Sequence, residues 1–298
     1  MKIPNKFLYK LLRITGLTLI FREVIQKNKV TIVLFHDMSL DIAEQSFTYL
    51  QRHYNIISLN DFLVAVENKM ALPRKSLILT FDDGHIGNFD LLPIIKRLNI
   101  PVTIFLCAGI INTKRNFWFR YEKRSQPKDY LKRIPNLQRV NFLKEDGFLH
   151  DKEFSAPYAL QESHIQQMKP FINFQSHTLF HPILPMCTDK EAREEIFGSK
   201  TLLENRYHLD VNAISYPNGD YSNRDVELVK EAGYKCGVTV DFGFNTINTD
   251  LYRLKRFSVN DATGYSELIV KASGLWAFAK KFIASKPQFE TSIKNTTK

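Results

Sequence analysis

The sequence predicts an α/β fold built on a parallel sheet or barrel, and three observations carry that prediction. Strand-like and helix-like segments alternate along the chain, the pattern of parallel β/α units. The length, 298 residues with 44% hydrophobic content, suffices for one full core, since β/α barrels of about 200 to 300 residues commonly form a single domain. Finally, the run from Ser76 to Gly84 is an apolar strand that ends in two adjacent carboxylates, Asp82 and Asp83, and a glycine. Strand ends are where an α/β protein keeps its chemistry. Neighbouring carboxylates repel each other, so a strand-end pair is costly unless a cation or a reacting proton uses it.

Along the chain, residues 30–35 read as the first strand, 59–69 as a helix capped by Ser58, and 77–81 as a second, buried strand. Residues 89–98 read as a helix that holds Pro93 in its first turns, with Asn88 as its cap, and 102–106 as a third strand. From about 112 to 157 the alternation lapses into a polar, basic and aromatic stretch containing Arg115-Asn116-Phe117-Trp118-Phe119-Arg120. It is longer than an ordinary βα loop and reads as an insertion above the active face. Thr188 and Glu191 have capping-box spacing and open a helix to about Tyr207. Strands follow near 211–216, 236–240 and 254–259, with a helix at 225–232 between the first two. The expected organisation is an N-terminal extension at 1–29, the β/α domain at 30–262 with the insertion 112–157, and a C-terminal helix and polar tail at 263–298.

A net charge of +10 and a pI near 9.3 favour an acidic partner: nucleic acid, anionic lipid or acidic glycan. No nucleic-acid motif accompanies the charge, so nucleic acid is not expected. Cys107, Cys187 and Cys236 are far apart and form no CxxC, which argues against a disulfide framework or zinc knuckle and fits a reducing compartment. At the N-terminus the apolar run 7–21 is interrupted by Lys10 and Arg13, and no small-residue cleavage site follows. The uncharged remainder is shorter than the roughly 20 residues a bilayer span needs. With Lys2, Lys6, Lys10, Arg13, Arg22, Lys27 and Lys29 flanking it, this segment fits a helix lying in a membrane surface or a helix packed on the domain. The stretch 275–283 shares its basic and aromatic character. The expected location is cytoplasmic, or the inner face of a membrane.

The second chemical constellation is Ser176-His177-Thr178-Leu179-Phe180-His181-Pro182, just after the apolar segment 171–174. Histidines four apart can share one side of a helical turn, and this spacing presents two imidazoles to zinc. One Asp with two His makes the three-ligand set of a catalytic metal site with a position open to water.

These motifs, Thr80-Phe81-Asp82-Asp83-Gly84 and the two-histidine element in that order, resemble those of the polysaccharide deacetylase family, the NodB-homology or carbohydrate esterase family 4 domain. The segment from Ile214 to Tyr221 matches the family's third motif loosely, and the resemblance spans roughly Val30 to Asp261. It implies a distorted (β/α)7 barrel and a metal-dependent hydrolase that removes an acetyl group from an N-acetylated sugar of a polysaccharide, glycolipid or surface-glycan precursor. Carried over by position, Asp83, His177 and His181 would bind a divalent metal, usually zinc, and Asp82 would be the general base. A backbone N–H after Tyr216-Pro217, that of Asn218, would hold the oxyanion, or Pro-Asn-Gly is an ordinary turn.

Two departures from the family pattern accompany the match. Ser215 stands where the family carries an arginine that pairs with the base. Arg256 either supplies that charge from another part of the mouth or is a surface arginine. No leucine–histidine element follows His208, so the proton donor to the leaving amine would be His36, at the end of the first strand. The alternatives are that His36 only hydrogen-bonds loop backbone or orients Asp82, or that His85 reaches the mouth instead. In the insertion, Phe117, Trp118, Phe119 and Tyr121 are candidates to stack on sugar, and Arg115, Arg120, Lys123 and Arg124 to meet a pyrophosphate or anionic headgroup; the alternative is a solvated insertion. The rival classes are a non-catalytic glycan- or membrane-binding relative and a metal-dependent phosphohydrolase with Mg²⁺ on Asp82-Asp83, although two histidines suit zinc better.

Overall fold

Apolar runs with polar ends make the eight strands of this protein: β1 (Val30–Phe35), β2 (Asn55–Ile56), β3 (Ser76–Phe81), β4 (Val102–Leu106), β5 (Ile172–Ser176), β6 (Ala213–Ser215), β7 (Cys236–Val238) and β8 (Phe257–Ser258). The computed structural model describes residues 5–261 and 265–278. The expected tail at 291–298, Lys2, Lys280 and Lys281 lie outside the described residues. All the strand pairings are parallel, in the order β7-β6-β5-β4-β3-β1-β8, with β2 beside the start of β3. Every residue of β1, β3 and β4 is buried, as expected for parallel strands covered on both faces.

The two end strands of this sheet meet through the chain that leads into β8. The Leu254 N–H donates to Gly237 O at 2.9 Å and the Thr239 N–H to Leu254 O at 2.8 Å. A few residues on, Phe257 and Ser258 pair with Val33 and Leu34 of β1. The ring closes as a distorted (β/α)7 barrel, with β2 as a short extra strand.

Strand alternation then sorts the side chains. On β3, Leu77, Leu79 and Phe81 join the cluster shared with the surrounding helices, while Ile78 joins Val30, Ile32, Phe105, Val238 and Leu254 in the barrel interior. Continuing the same period through Thr80 puts Asp82 on the interior side at the mouth. β1 and β3 run in register from Val30–Ser76 to Phe35–Phe81, so His36 and Asp82 leave the barrel side by side.

Two helices keep their predicted caps. Ser58 with Asp61 and Thr188 with Glu191 form reciprocal capping boxes on Leu59–Glu67 and Asp189–Tyr207. The helix expected at 89–98 instead begins as a 3₁₀ turn, Ile86–Leu91, and becomes α-helical only at Leu92–Leu98, with Pro93 in the first turn where its missing N–H is harmless. Asn88 does not cap it; its Nδ2 donates to His36 O at 2.7 Å. The strands near 211–216, 236–240 and 254–259 are shorter than expected, at Ala213–Ser215, Cys236–Val238 and Phe257–Ser258. Helix Leu40–His53 was not among the expected elements, although Ala43, Phe47 and Leu50 form its buried stripe.

The insertion is packed and not a solvated loop. Trp118, Tyr121, Leu131, Leu143 and Phe148 form their own cluster with Ile183, and the Arg139 guanidinium lies 4.6 Å over the Trp118 ring. At the other end of the chain, helix Asn5–Ile14 contacts helix Tyr265–Ala272, with Tyr9 against Trp276 at 4.8 Å between ring centroids. Its outer side, with Gly16 and the following turns, leaves Phe7, Leu11, Ile14, Leu17, Leu19, Ile20, Val24 and Ile25 exposed. No helix among the described residues is long and apolar enough to cross a membrane.

Trp118→Ala is expected to lower unfolding free energy by about 3–5 kcal/mol, the usual cost of emptying a large aromatic site, read from the denaturant midpoint. A loss below about 1 kcal/mol would mean that the insertion is not integral to the fold.

Candidate active site

Asp83 follows β3 in the left-handed region (φ 73), and Gly84 continues it (φ 71). A Cβ on Gly84 would sit 2.6 Å from Leu106 Cδ2, so only glycine lets the chain turn here. This turn sends Asp83 in a different direction from Asp82. His177 and His181 come from the loop after β5 and not from a helical turn, which corrects the helical reading of their spacing. Thr178 and His181 have positive φ (66 and 57), and that bend brings the two imidazoles together with centroids 4.8 Å apart.

Several bonds hold the loop in this uncommon conformation. Glu195 Oε2 accepts from the Leu179 and Phe180 N–H groups at 2.8 and 2.9 Å, and Trp118 Nε1 donates to His181 O at 2.8 Å. Burial pushes the Glu195 carboxyl up to about 7 in spite of those N–H bonds.

Asp83 Oδ1 lies 3.5 Å from His177 Nε2 and 3.6 Å from His181 Nε2, and it is buried without a hydrogen-bond partner. Metal–ligand bonds of about 2.1 Å give a tetrahedral edge of about 3.4 Å, so this spacing fits a shared ion such as zinc. The His177 Nδ1 to Ser215 O contact of 2.7 Å places the proton on Nδ1 and leaves the Nε2 lone pair for a metal. Burial foremost pushes His181 down to about 3, so this imidazole is neutral at pH 7. The other Asp83 oxygen, Oδ2, faces His85 Nε2 at 3.0 Å. Donor type, spacing, tautomer and an orphaned carboxylate oxygen all suit a cation, and Asp83, His177 and His181 form a group able to hold a metal ion.

Asp82 has entirely different neighbours. Arg256 donates to it through both terminal nitrogens, to Oδ1 and Oδ2 at 2.8 Å each, and Ser215 Oγ donates to Oδ2 at 2.9 Å. Burial works to raise the Asp82 pKa, but the Arg256 guanidinium, with smaller help from His177 and His36, outweighs it and holds the carboxyl below its ordinary value. Arg256 is fully buried and is no surface arginine. Ser215, at the position of the family's arginine, hydrogen-bonds both Asp82 and Arg256.

His36 lines the same cleft, its backbone N–H bonded to Asp261 Oδ1 at 3.0 Å and its Nδ1 3.7 Å from Asp261 Oδ2. Burial lowers its pKa, but Asp261 and the Asp82–Asp83 charges prevail and lift it to about 9. Asn218 also lines the cleft, with φ 60. Tyr216 does not: its ring is buried against Tyr221, and its hydroxyl donates to Tyr252 O at 3.0 Å. Of the aromatics proposed to stack on sugar, Phe117, Trp118 and Tyr121 are buried, and Phe119 alone reaches the cleft. Arg115 and Arg124 are committed to backbone carbonyls, including Gly109 O and Phe119 O.

The cleft has a volume of about 560 Å³. Sequence reading did not find Asp261, Asp37 and the structural part played by His85: Arg120 bridges Asp37 Oδ2 at 2.9 Å and His85 Nδ1 at 3.1 Å. The adjacency of His85 to Asp83 and of Asp37 to His36 was the available signal. For Asp261, more than 200 residues from its partner, local sequence carries none.

The pattern of the polysaccharide deacetylase family matches residues 69–237. YxkH of Bacillus subtilis is 23% identical over 246 residues, covering 78% of this chain and 72% of that protein. Poly-beta-1,6-N-acetyl-D-glucosamine N-deacetylase of Staphylococcus epidermidis is 22% identical, covering 74% of this chain and 69% of that one. Among solved structures, the deacetylase PplD of Streptococcus pyogenes, in complex with acetate, superposes with a TM-score of 0.61 at 22% identity, over 83% of this chain and 99% of its own. IcaB from Ammonifex degensii does so with a TM-score of 0.61 at 14% identity, over 83% and 98%. Both likenesses show the same fold. With the motif order, the barrel and the Asp-His-His group already in place, the family match settles the matter: the chain belongs to the polysaccharide deacetylase family and is a carbohydrate deacetylase.

Proposed function

We propose that this protein removes the acetyl group from an N-acetylated sugar of a polysaccharide, glycolipid or surface-glycan precursor, with a divalent ion, zinc by donor chemistry, held by Asp83, His177 and His181. The observation that carries the reading is the unequal environment of two adjacent carboxylates: Asp83 faces two imidazoles, Asp82 a guanidinium. When bound, the ion supplies Lewis acidity to the acetyl carbonyl and makes water a better nucleophile. Asp82, ionised and oriented by Arg256 and Ser215, takes the proton of the attacking water. The Asn218 N–H faces the developing oxyanion. The C–N bond breaks, and His36, aligned by Asp261, gives its proton to the departing amine. Acetate and the free amino sugar result. A phosphohydrolase with Mg²⁺ shared by Asp82 and Asp83 is disfavoured, because both Asp82 oxygens are engaged by Arg256 and imidazoles suit zinc better than magnesium. A purely binding relative is disfavoured because Ser215 and Arg256 together restore a charge partner for Asp82.

The zinc-loaded protein is expected to release acetate from N-acetylglucosamine oligomers. Asp82→Asn should lower kcat by about 10²–10⁴-fold with zinc retained, whereas Asp83→Ala should lose zinc as well, measured by metal analysis alongside turnover. Full activity in Asp82→Asn would refute the base assignment, and absence of acetate from every N-acetylated substrate would favour the binding relative.

His36 acts in its protonated form, so the rate should fall as pH rises through its pKa. Asp261 raises that pKa; a cation bound in the cleft brings it down from about 9 without changing the sign of the Asp261 contribution. Asp261→Asn should therefore move the alkaline limb of the kcat profile to lower pH. A limb that stays in place would remove His36 from the acid role.

The same enzyme is proposed to work at a membrane surface. The exposed apolar residues from Phe7 to Ile25, beside exposed Lys10 and Arg13, support it as an interfacial anchor, although Arg22 is committed to Glu23 and Tyr49. The protein should co-sediment with vesicles containing phosphatidylglycerol, and Ile14→Glu with Val24→Glu should abolish this. Equal sedimentation of the double variant would discard the anchor.

A further inference from the structure

The cleft holds more positive charge than its own carboxylates use. Asp82 is matched by Arg256 and Asp37 by Arg120. Asp261 faces His36, and Asp83 belongs with the two imidazoles. Two lysines of the insertion line the same cleft beyond these pairs, Lys128 and Lys132.

Among the described residues, the Lys128 side chain makes no hydrogen bond or ion pair. Lys132 Nζ donates to a neutral acceptor, Asn218 Oδ1, at 2.5 Å. The carboxylates nearest to Lys132, those of Asp129 and Asp220, favour its charge only from a distance, and Asp220 is turned to Asn218 Nδ2 at 2.5 Å. Burial pushes the Lys132 ammonium down, and the Lys128 charge pushes in the same direction. Two like charges thus line the cleft with no carboxylate paired to either among the described residues, an arrangement suited to an anionic ligand.

Their position is fixed and not incidental. The two lysines are four residues apart: Lys128 opens the short helix Lys128–Leu131, and Lys132 is the residue that ends it. Leu131 is fully buried in the aromatic cluster around Trp118, so the fold of the insertion presents them to the cleft. Asn218, which Lys132 touches, is the residue whose N–H the proposed reaction directs at the oxyanion. An anion on Lys132 would therefore lie close to the acetamide and not on a remote surface.

We propose that the substrate is an N-acetylated sugar that carries an anionic group, a phosphate or a carboxylate, near its acetamide, and that Lys128 and Lys132 bind that group. This rests on the deacetylase reading and adds the charge of the substrate to it. Arg120 lies in the same cleft but is already engaged by Asp37 and His85, so selectivity falls to the two lysines. The surplus of +10 over the whole chain would assist the encounter.

The test uses the zinc-loaded, full-length Asp82→Asn protein and calorimetric titration with three probes: N-acetylglucosamine, N-acetylglucosamine 1-phosphate and N-acetylmuramic acid. At least one anionic sugar should bind roughly tenfold or more tightly than the neutral one, as expected for a charge-assisted contact. The advantage should shrink with added salt, collapse when Lys128→Gln and Lys132→Gln are combined, and return with arginine at both positions. Which anionic sugar is preferred identifies phosphate or carboxylate as the group read. Equal affinity for all three, or an advantage that survives the double glutamine variant, overturns the proposal; the latter would place the anion on the zinc. Acetate release from the neutral oligomer by the wild-type protein tests the deacetylase reading separately. Absence of acetate from the neutral oligomer and from both anionic sugars, beside an intact lysine-dependent preference, would sink the reaction and keep the subsite, and acetate release beside equal affinities would do the reverse.

Discussion

The Arg256–Asp82 pair is the interaction on which the architecture of the mouth depends. Arg256 is fully buried, and its donors are satisfied on several sides: Nε by Thr239 O, one terminal nitrogen by Asp82 Oδ1 and Thr80 Oγ1, the other by Asp82 Oδ2 and Ser215 Oγ. These partners come from or adjoin β3, β6 and β7, while Arg256 itself precedes β8. One side chain thus ties four strands together across the barrel interior. A buried guanidinium is tolerated only when its charge and its N–H groups are all met, and stripping one member of such a pair typically costs about 3–5 kcal/mol. The same bonds hold the Asp82 carboxyl below its ordinary pKa and fix its direction at the mouth.

From that constraint follows the separation of two adjacent carboxylates. Strand alternation alone would place Asp83 on the side opposite Asp82, among the helices. The positive φ of Asp83 and the bare Gly84 redirect it into the mouth, where His177 and His181 converge on its oxygen. The histidine loop is bent in its own way, at Thr178 and His181, and is held by Glu195 and Trp118. Several residues in uncommon backbone conformations therefore surround one small volume, Asn218 among them. Strain of this kind persists only where the surrounding structure over-determines it, and here capped helices and a packed insertion do so.

The insertion has two faces with different duties. Its aromatic residues turn inward: Trp118 bonds the backbone of a histidine ligand candidate and stacks beneath Arg139. Phe119 and the lysines turn toward the cleft. A stretch that reads as loose and sugar-facing from composition is in fact a small core that supports the histidine loop, with Phe119 and the two lysines along its cleft edge.

The sequence by itself determined the barrel and its centre. The alternation of apolar strands and capped helices, the paired aspartates at a strand end and the spaced histidines are local patterns, set by burial on both strand faces and by capping chemistry, so they survive reading in one dimension. It also placed His36 at the mouth, because parallel strand ends all point the same way, and it left open whether Arg256 reaches Asp82 or lies on the surface. Only the tertiary structure decided what those residues touch. Asp261 meets His36 across more than 200 residues, Ser215 joins Arg256 in gripping Asp82, Tyr216 turns into the core, and Phe117, Trp118 and Tyr121 are buried while Lys128 and Lys132 are not. Such contacts arise from ring closure and from loops bent at positive φ, which bring distant positions together with no trace in local composition or period.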